Sequence, residues 1–132
     1  MTAAGLLDTS VIVGMEMLRP IDVELVPERQ YLSVITLAEL RAGVLAAQDT
    51  DTRSRRITTL EAYTSMHALP ADERAAEHWA RLRYRLAENQ RRINVNDLWI
   101  ASIALANELP VITQDQDFDV LADLGGPEII HV

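Results

Sequence analysis

Three short, mostly apolar runs constrain the fold of this chain more than any other feature. They occupy residues 5–7, 109–112 and 128–132, and longer segments with helical periodicity separate them. Strands that are apolar at consecutive positions are typical of parallel sheets, because helices cover both faces of such sheets. The alternation of strands and helices therefore predicts the α/β class, with a central parallel sheet between two layers of helices.

The segments between these runs supply the remaining elements. QYLSVIT at 30–36 is rich in β-branched and aromatic residues, which predicts a second strand or the apolar start of a helix. HALP at 67–70 predicts a short strand that ends at its proline. Apolar periodicity predicts further helices at residues 37–48, 52–66, 71–92 and 94–108. No repeat or linker interrupts the pattern, so we expect residues 1–132 to form a single domain.

The composition excludes several kinds of chemistry. The 132 residues include no cysteine, which rules out disulfides, thiolate metal sites and cysteine nucleophiles. Every basic residue is an arginine, which rules out a Walker A loop and Schiff-base catalysis, since both need lysine. No apolar run is long enough to cross a bilayer, and the first residues lack the pattern of a signal peptide. We therefore expect a cytoplasmic protein with no membrane partner.

The arginines are unevenly placed along the chain. The net charge of −8 argues against a broad basic surface for nucleic acid. However, one arginine cluster comprises Arg53, Arg55 and Arg56, and a second comprises Arg81, Arg83, Arg85, Arg91 and Arg92. Arginine makes bidentate contacts with phosphate, so these clusters are candidates for phosphate binding. The alternative is that they are solvated helix faces.

Asp8 is the first of four acidic residues in unusual settings. It follows Leu6 and Leu7 and shortly precedes the apolar residues 11–13, so its carboxylate lies at the end of a buried run. Burying a carboxylate is costly unless a positive or hydrogen-bonding group meets it. Asp8 is also a favourable residue for capping the next helix, which is the alternative explanation.

Asp115 follows the apolar run at 109–112 and precedes Asp117 and Asp119. These three acids lie within five residues and repel one another, and a cation would relieve that repulsion. The alternative is a polar turn that also caps a helix beginning near Phe118.

Asp97 and Glu39 are acidic residues inside predicted helices. Asp97 shares its helix face with Ile100 and Ala101, and its helix is apolar almost all round. It could cap that helix, although Asn94 already offers a cap. Glu39 has small residues on its helix face, and its alternative role is a surface ion pair with an arginine.

Four carboxylates in apolar or small-residue settings need a positive charge to offset their burial and mutual repulsion, and a hard divalent cation supplies that charge. Mg²⁺ and Mn²⁺ prefer oxygen ligands, and carboxylate-bound Mg²⁺ commonly completes its shell with substrate phosphate. The histidines are scattered without metal-ligand spacing, which disfavours zinc. The residues therefore indicate a Mg²⁺ or Mn²⁺ site.

Four motifs together resemble one family. LLDTSVIV at 6–13, ITLAELRAGV at 35–44, VNDLWIASIALANELPVITQDQDF at 95–118 and EIIHV at 128–132 are similar to the PIN domain, and specifically to VapC-type toxin ribonucleases of bacterial toxin–antitoxin pairs. The resemblance spans nearly the whole chain. It implies a PIN-like (Rossmann-like) three-layer α/β/α sandwich that hydrolyses RNA phosphodiester bonds through a water activated by Mg²⁺ or Mn²⁺.

The resemblance also implies roles for individual residues. The catalytic and metal-binding acids would be Asp8, Glu39, Asp97 and Asp115. Thr9, Ser10 and Thr113 would orient these carboxylates or a bound water. TQDQDF is more compact than the usual family spacing, so either Asp115 or Asp117 would reach the metal, and we favour Asp115 because it lies nearer the strand end. RNA phosphates at the rim would contact Arg53, Arg55 and Arg56.

Partners follow from the same resemblance. It implies a homodimer, a structured RNA substrate such as transfer or ribosomal RNA, and a VapB-type antitoxin whose C-terminal segment covers the active-site cleft. A second hypothesis is a non-catalytic PIN-like module that binds RNA or protein without a metal. An aspartate-nucleophile phosphatase is a weaker hypothesis, because such enzymes commonly carry an acid where this chain has Ser10, and commonly need a lysine.

Overall fold

A four-stranded parallel sheet forms the centre of the computed structural model, which describes residues 3–132. The strands are β1 (Ala4–Leu7), β2 (Arg29–Tyr31), β3 (Val111–Thr113) and β4 (Ile129–His131). Their order in the sheet is β2-β1-β3-β4, and every pairing is parallel. The helices are α1 (Thr9–Glu16), α2 (Val34–Ala46), α3 (Thr50–Thr64), α4 (Glu73–Glu88) and α5 (Val95–Ala106).

Helices cover both faces of this sheet, as the apolar strands predict. Leu6 and Leu7 are both fully buried, and their side chains point to opposite faces because strand side chains alternate. Leu6 packs in the cluster that contains the buried residues of α4 and α5. Leu7 packs in a second cluster with buried residues of α1 and α2, which α3 flanks. The predicted three-layer α/β arrangement is confirmed.

The strand order reverses at β1, and this reversal locates the candidate site. From β1 the chain crosses to β2 on one side, and it later returns through β3 on the other side. The carboxyl ends of β1 and β3 are adjacent, since Leu7 pairs with Ile112 and the Asp8 amide donates to the Ile112 carbonyl at 2.8 Å. Open parallel sheets bind ligands at such a switch point, beyond the carboxyl ends of the strands.

Most predicted elements are present, and the structure differs from the prediction in three places. QYLSVIT divides at Ser33, so β2 ends at Tyr31 and Ser33 caps α2 by accepting from the Thr36 amide. The predicted strand at HALP is wrong, because only Leu69 forms an isolated parallel bridge with Ser33 before Pro70 ends the pairing. The helix expected near Phe118 is a 3-10 helix that spans Gln116–Leu121.

No helix within residues 3–132 has both the length and the apolar character that crossing a bilayer requires.

Candidate functional site

An acidic pocket of about 230 Å³ lies at the carboxyl edge of the sheet, beside β1 and β3. Its acids come from four separate parts of the chain: the end of β1, the middle of α2, the first turn of α5 and the segment after β3. The residues that line it are Asp8, Thr9, Ser10, Glu39, Asn94, Asp97, Asp115 and Asp117. The lining contains no arginine or histidine, so no described side chain neutralises these five carboxylates within the pocket.

Asp8 is only 3% exposed, and hydroxyl groups meet its buried carboxylate. The hydroxyls of Ser10 and Thr113 donate to Oδ2 at 2.7 and 2.9 Å, and the Ser10 amide donates to the same atom at 3.3 Å. Hydrogen bonds to a charged acceptor are stronger than neutral ones and offset its burial. All three bonds reach Oδ2, so no described residue donates to Oδ1.

The two hydroxyls that hold Asp8 are themselves fixed by backbone amides. The Gln114 amide donates to Ser10 Oγ at 3.0 Å, and the Asp115 amide donates to Thr113 Oγ1 at 2.9 Å. Each hydroxyl has one proton, and each gives it to Asp8, so the 3.1 Å contact between the two hydroxyls carries no proton of its own. The backbone after β3 therefore sets the orientation of the carboxylate after β1.

Glu39 is held by the Thr9 hydroxyl, which also contacts Thr36. The Thr9 hydroxyl donates to Glu39 Oε1 at 2.7 Å, and Thr36 Oγ1 lies 3.1 Å from Thr9 Oγ1. The Thr9 hydroxyl is the donor in both contacts, so its single proton is shared between Glu39 Oε1 and Thr36 Oγ1, and the shorter contact is the one to Glu39. The other Glu39 oxygen accepts a weaker bond from the side-chain Nδ2 of Asn96 at 3.5 Å. No arginine among residues 3–132 forms an ion pair with Glu39, which disfavours the surface alternative.

Thr36 is a residue that the sequence reasoning missed. It is fully buried, and it lies three residues before Glu39, so the two side chains share a face of α2. The sequence feature that could have identified Thr36 is its hydroxyl, which lies about one helical turn before the candidate ligand Glu39 in an otherwise apolar stretch.

Asp97 is the acid of the pocket whose pKa is clearly shifted. Burial, as the largest cause, and four neighbouring negative charges together raise the pKa of its carboxyl from 3.8 to about 7. The charges contribute in the order Asp8, Asp115, Glu39 and Asp117. Its carboxylate accepts no hydrogen bond from the described residues, and Asn94 caps α5 by accepting from the Asn96 amide at 2.8 Å. Capping therefore does not account for Asp97.

Asp115 and Asp117 both reach the pocket. Each offers a carboxylate oxygen to a group with Asp97, and the three oxygens lie within 4.8 Å of one another. Asp115 also caps the 3-10 helix, because its Oδ1 accepts from the Asp117 amide at 2.9 Å. Asp119 is not part of the pocket lining and instead lies 2.8 Å from the ring nitrogen of His131. The geometry thus brings together every predicted acid and leaves both Asp115 and Asp117 as candidate ligands.

The first arginine cluster is placed away from the acidic pocket. Arg53 donates to the Ala47 carbonyl at 2.9 Å, and Arg56 donates to the Gly43 carbonyl at 2.6 Å. Cations favour the carboxyl end of a helix, so both arginines tie α3 to the end of α2. Arg55 pairs with Glu16 of α1 at 3.4 Å. These intramolecular contacts give no support to the prediction that this cluster binds RNA phosphate.

The fold and the pocket together define an α/β protein with a carboxylate site at the switch point of a parallel sheet, and comparison with known proteins identifies its family. The PIN-domain sequence pattern matches residues 5–124. Ribonuclease VapC5 of Mycobacterium tuberculosis is 54% identical over 130 residues, which cover 98% of this chain and 96% of that protein. Ribonuclease VapC4 of the same organism is 36% identical over 120 residues, covering 91% and 92%.

Solved structures agree with the sequence comparisons. The crystal structure of VapBC-5 from Mycobacterium tuberculosis, a member of the VapBC family of toxin–antitoxin systems, contains a chain that matches with a TM-score of 0.92 and 52% identity. The match covers 99% of this chain and all of that one. The chain therefore belongs to the PIN-domain family, in its VapC group, and the resemblance drawn from the four motifs is confirmed.

Proposed function

We propose that this chain is the ribonuclease toxin of a VapBC-type pair, and that it is a divalent-metal-dependent endoribonuclease. The observation that carries the proposal is the convergence of five carboxylates on one pocket whose lining has no positive side chain. Such a pocket repels an RNA phosphate unless a cation lies between them. The relatives named ribonucleases support the same reaction.

The donor set fits Mg²⁺ or Mn²⁺. The pocket offers oxygen donors only, which hard divalent cations prefer, and Asp8 Oδ1 and the Asp97 carboxylate have no hydrogen-bond donor among the described residues. Asp8 and Asp97 would hold the ion, with Glu39 and Asp115 completing or supporting its shell. We favour Asp115 over Asp117 because Asp115 is less exposed and its cap bond fixes the carboxylate.

The mechanism follows from what these residues do. When bound, the ion would polarise a phosphoryl oxygen and lower the pKa of a water. Ser10 and Thr113 hold Asp8 in one orientation, and Thr9, which also donates toward Thr36, holds Glu39. Asp97 loses its proton when positive charge enters the pocket, because that charge offsets its four negative neighbours. Water attacks the phosphorus in line as the bond from phosphorus to the 3′-oxygen breaks. The water gives up a proton, the leaving 3′-oxygen takes one up from solvent, and the products carry 5′-phosphate and 3′-hydroxyl ends.

The partners are proposed from the relatives. The VapBC-5 structure belongs to a toxin–antitoxin system, and a VapB-type antitoxin is accordingly the proposed inhibitor of this chain. The proposed substrate is a structured RNA such as transfer or ribosomal RNA, and the proposed assembly is a homodimer of single-domain chains.

Metal dependence is the direct test of this proposal. Antitoxin-free protein should cleave transfer or ribosomal RNA with Mg²⁺ or Mn²⁺, and EDTA should abolish the cleavage. The same ions should raise its melting temperature by several degrees, because a ligand that binds only the folded state stabilises it. A folded protein that neither cleaves these RNAs nor gains stability from either ion would favour the non-catalytic binding module.

Replacing Thr36 with valine should weaken Mn²⁺ binding about tenfold, because partners that orient a ligand typically contribute tenfold to a hundredfold in metal affinity. Valine keeps the buried volume but removes the hydroxyl oxygen that accepts from Thr9, so the Thr9 side chain that orients Glu39 loses one of its two fixed contacts. The Mn²⁺ affinity can be measured by titration calorimetry.

The matched control for this change is Thr36→Ser, which keeps the hydroxyl and loses only the methyl group. It should bind Mn²⁺ nearly as well as the unchanged chain. Equal weakening in both variants would show that Thr36 acts through packing and would contradict its role in orienting Glu39.

A further inference from the structure

We propose that a second pocket, between the end of α4 and the start of α5, holds the RNA strand next to the cleaved phosphodiester, with Arg83 and Arg92 contacting its phosphates. This inference rests on the proposed ribonuclease function and adds a substrate-binding site to it. It assigns the phosphate contacts to the second arginine cluster rather than to the first.

The second pocket has the opposite electrostatic character to the acidic one. Its volume is about 660 Å³, and its lining includes three arginines and no acid, in a chain whose net charge is −8. The lining residues are Trp79, Arg83, Leu86, Ala87, Gln90, Arg91, Arg92, Ile93, Val95 and Leu98. A concentration of positive charge in an acidic protein is complementary to a polyanion.

Only some arginines of the second cluster are free to bind a ligand. Arg85 donates to the Leu124 carbonyl at 2.9 Å. Arg91 donates to the Val120 carbonyl at 3.1 Å and forms an ion pair with Asp123. Arg83 and Arg92 are exposed, line the pocket and form no hydrogen bond or ion pair with any residue in the described part of the chain. Their guanidinium groups are therefore available for phosphate.

The first turn of α5 connects the two pockets. Asn94 and Asp97 line the acidic pocket, whereas Val95 and Leu98 line the second one. These residues alternate along a single helical turn, so the pockets lie on neighbouring faces of the same turn. An RNA strand with one phosphate at the acidic pocket can thus continue directly into the arginine-lined pocket.

The remaining lining suits unstacked nucleotides. Trp79, Ile93 and Leu98 supply apolar surface beside the arginines. Trp79 also stacks on Trp99, with ring centroids 5.4 Å apart and planes inclined by 24°, which holds the indole in place. Single-strand binding sites combine basic groups along the backbone with apolar or aromatic surfaces for the bases. We therefore assign this pocket to a single-stranded segment of the RNA.

The test is RNA binding by the full chain, free of antitoxin, under conditions that prevent cleavage. The probe is a fluorescein-labelled oligouridine of about 12 nucleotides, and anisotropy is measured in EDTA at several salt concentrations. The double variant Arg83→Ala/Arg92→Ala should bind about tenfold more weakly. The slope of log affinity against log salt should fall by about 1.4, since each phosphate contact on a single strand contributes about 0.7.

The matched control removes two arginines of α4 that line neither pocket. Arg74→Ala/Arg81→Ala makes the same change in net charge and should alter affinity less than twofold. The variant Arg83→Lys/Arg92→Lys keeps both positive charges and should retain most of the salt slope. A retained slope would show that the alanine variant binds weakly because it lost charge and not because it failed to fold.

Two results would overturn the assignment. If both alanine variants bound RNA equally weakly, the loss of affinity would come from the change in net charge and not from this pocket. Unchanged RNA binding together with an altered sedimentation coefficient would make the pocket an interface between protein chains. Failure of the ribonuclease proposal is seen separately, because it is a loss of metal-dependent cleavage, whereas these affinities are measured without metal.

Discussion

Replacing Asp97 with asparagine should reduce Mg²⁺-dependent RNA cleavage by about 10²- to 10³-fold, which corresponds to about 3–4 kcal/mol of lost transition-state stabilisation. Asparagine keeps the size and shape of the side chain but removes the charge that would face the ion. The cap of α5 is unaffected, because Asn94 provides it. The initial rate of cleavage of a single RNA at saturating Mg²⁺ is the measurement.

The matched control is Asp22→Asn, which makes the same chemical change at an exposed loop position. Asp22 does not line the acidic pocket, and its side chain accepts no capping hydrogen bond. The control should cleave at the original rate. If Asp97→Asn cleaved as fast as the control, Asp97 would not be a metal ligand and the proposed site would be wrong.

The placement of the acids could be predicted because their local sequence is unusual. Asp8 ends a buried run, and Asp97 lies among apolar residues that the structure buries completely, such as Ile100 and Ala101. Parallel topology then requires the segments after β1 and β3 to meet at one edge of the sheet. The two arguments together bring distant acids to one pocket without any knowledge of side-chain contacts.

The competing explanations for the acids turned out to be compatible. Asp8 caps α1 and Asp115 caps the 3-10 helix, as the capping alternatives predict, and both residues also line the acidic pocket. A carboxylate has two oxygens, so one can accept a backbone amide while the other remains available. Sequence patterns alone cannot separate the two roles, because both favour the same residue type at the same position.

The hydrogen-bond and ion-pair partners of individual side chains could not be predicted from the sequence. The two arginine clusters look alike in sequence, but the first packs against helix ends while Arg83 and Arg92 of the second have no partner among the described residues. The bond from Thr9 to Thr36 depends on how α2 packs beside α1, at a sequence separation of 27 residues. Such contacts depend on how the helices pack against one another. Neither the periodicity nor the composition of the sequence specifies which individual side chains meet.

The stability of the metal-free protein should fall as the pH rises from about 4 to about 7, because the pKa of the Asp97 carboxyl is raised from 3.8 to about 7 in the folded state. Between the ordinary pKa of 3.8 and this value, the folded chain binds more protons at Asp97 than the unfolded chain does. The free energy of unfolding therefore decreases across that interval. Solvent screening of this partly exposed group limits the decrease to about 1–2 kcal/mol.

Asp97→Asn should remove this pH dependence, since asparagine does not titrate. In urea denaturation with EDTA, the variant should be more stable than the unchanged chain at pH 8, and this difference should be clearly smaller at pH 5 and vanish toward pH 3.8. Adding Mn²⁺ at pH 8 should stabilise the unchanged chain far more than the variant, because only the former has the full set of charges that the ion neutralises. A variant that is less stable at pH 8 would mean that the Asp97 carboxylate stabilises the metal-free fold, and the repulsion inferred from the five converging carboxylates would be incorrect. Together with the cleavage rates, this comparison separates a site whose acids are retained for ion binding, at a cost in stability, from one whose acids support the fold.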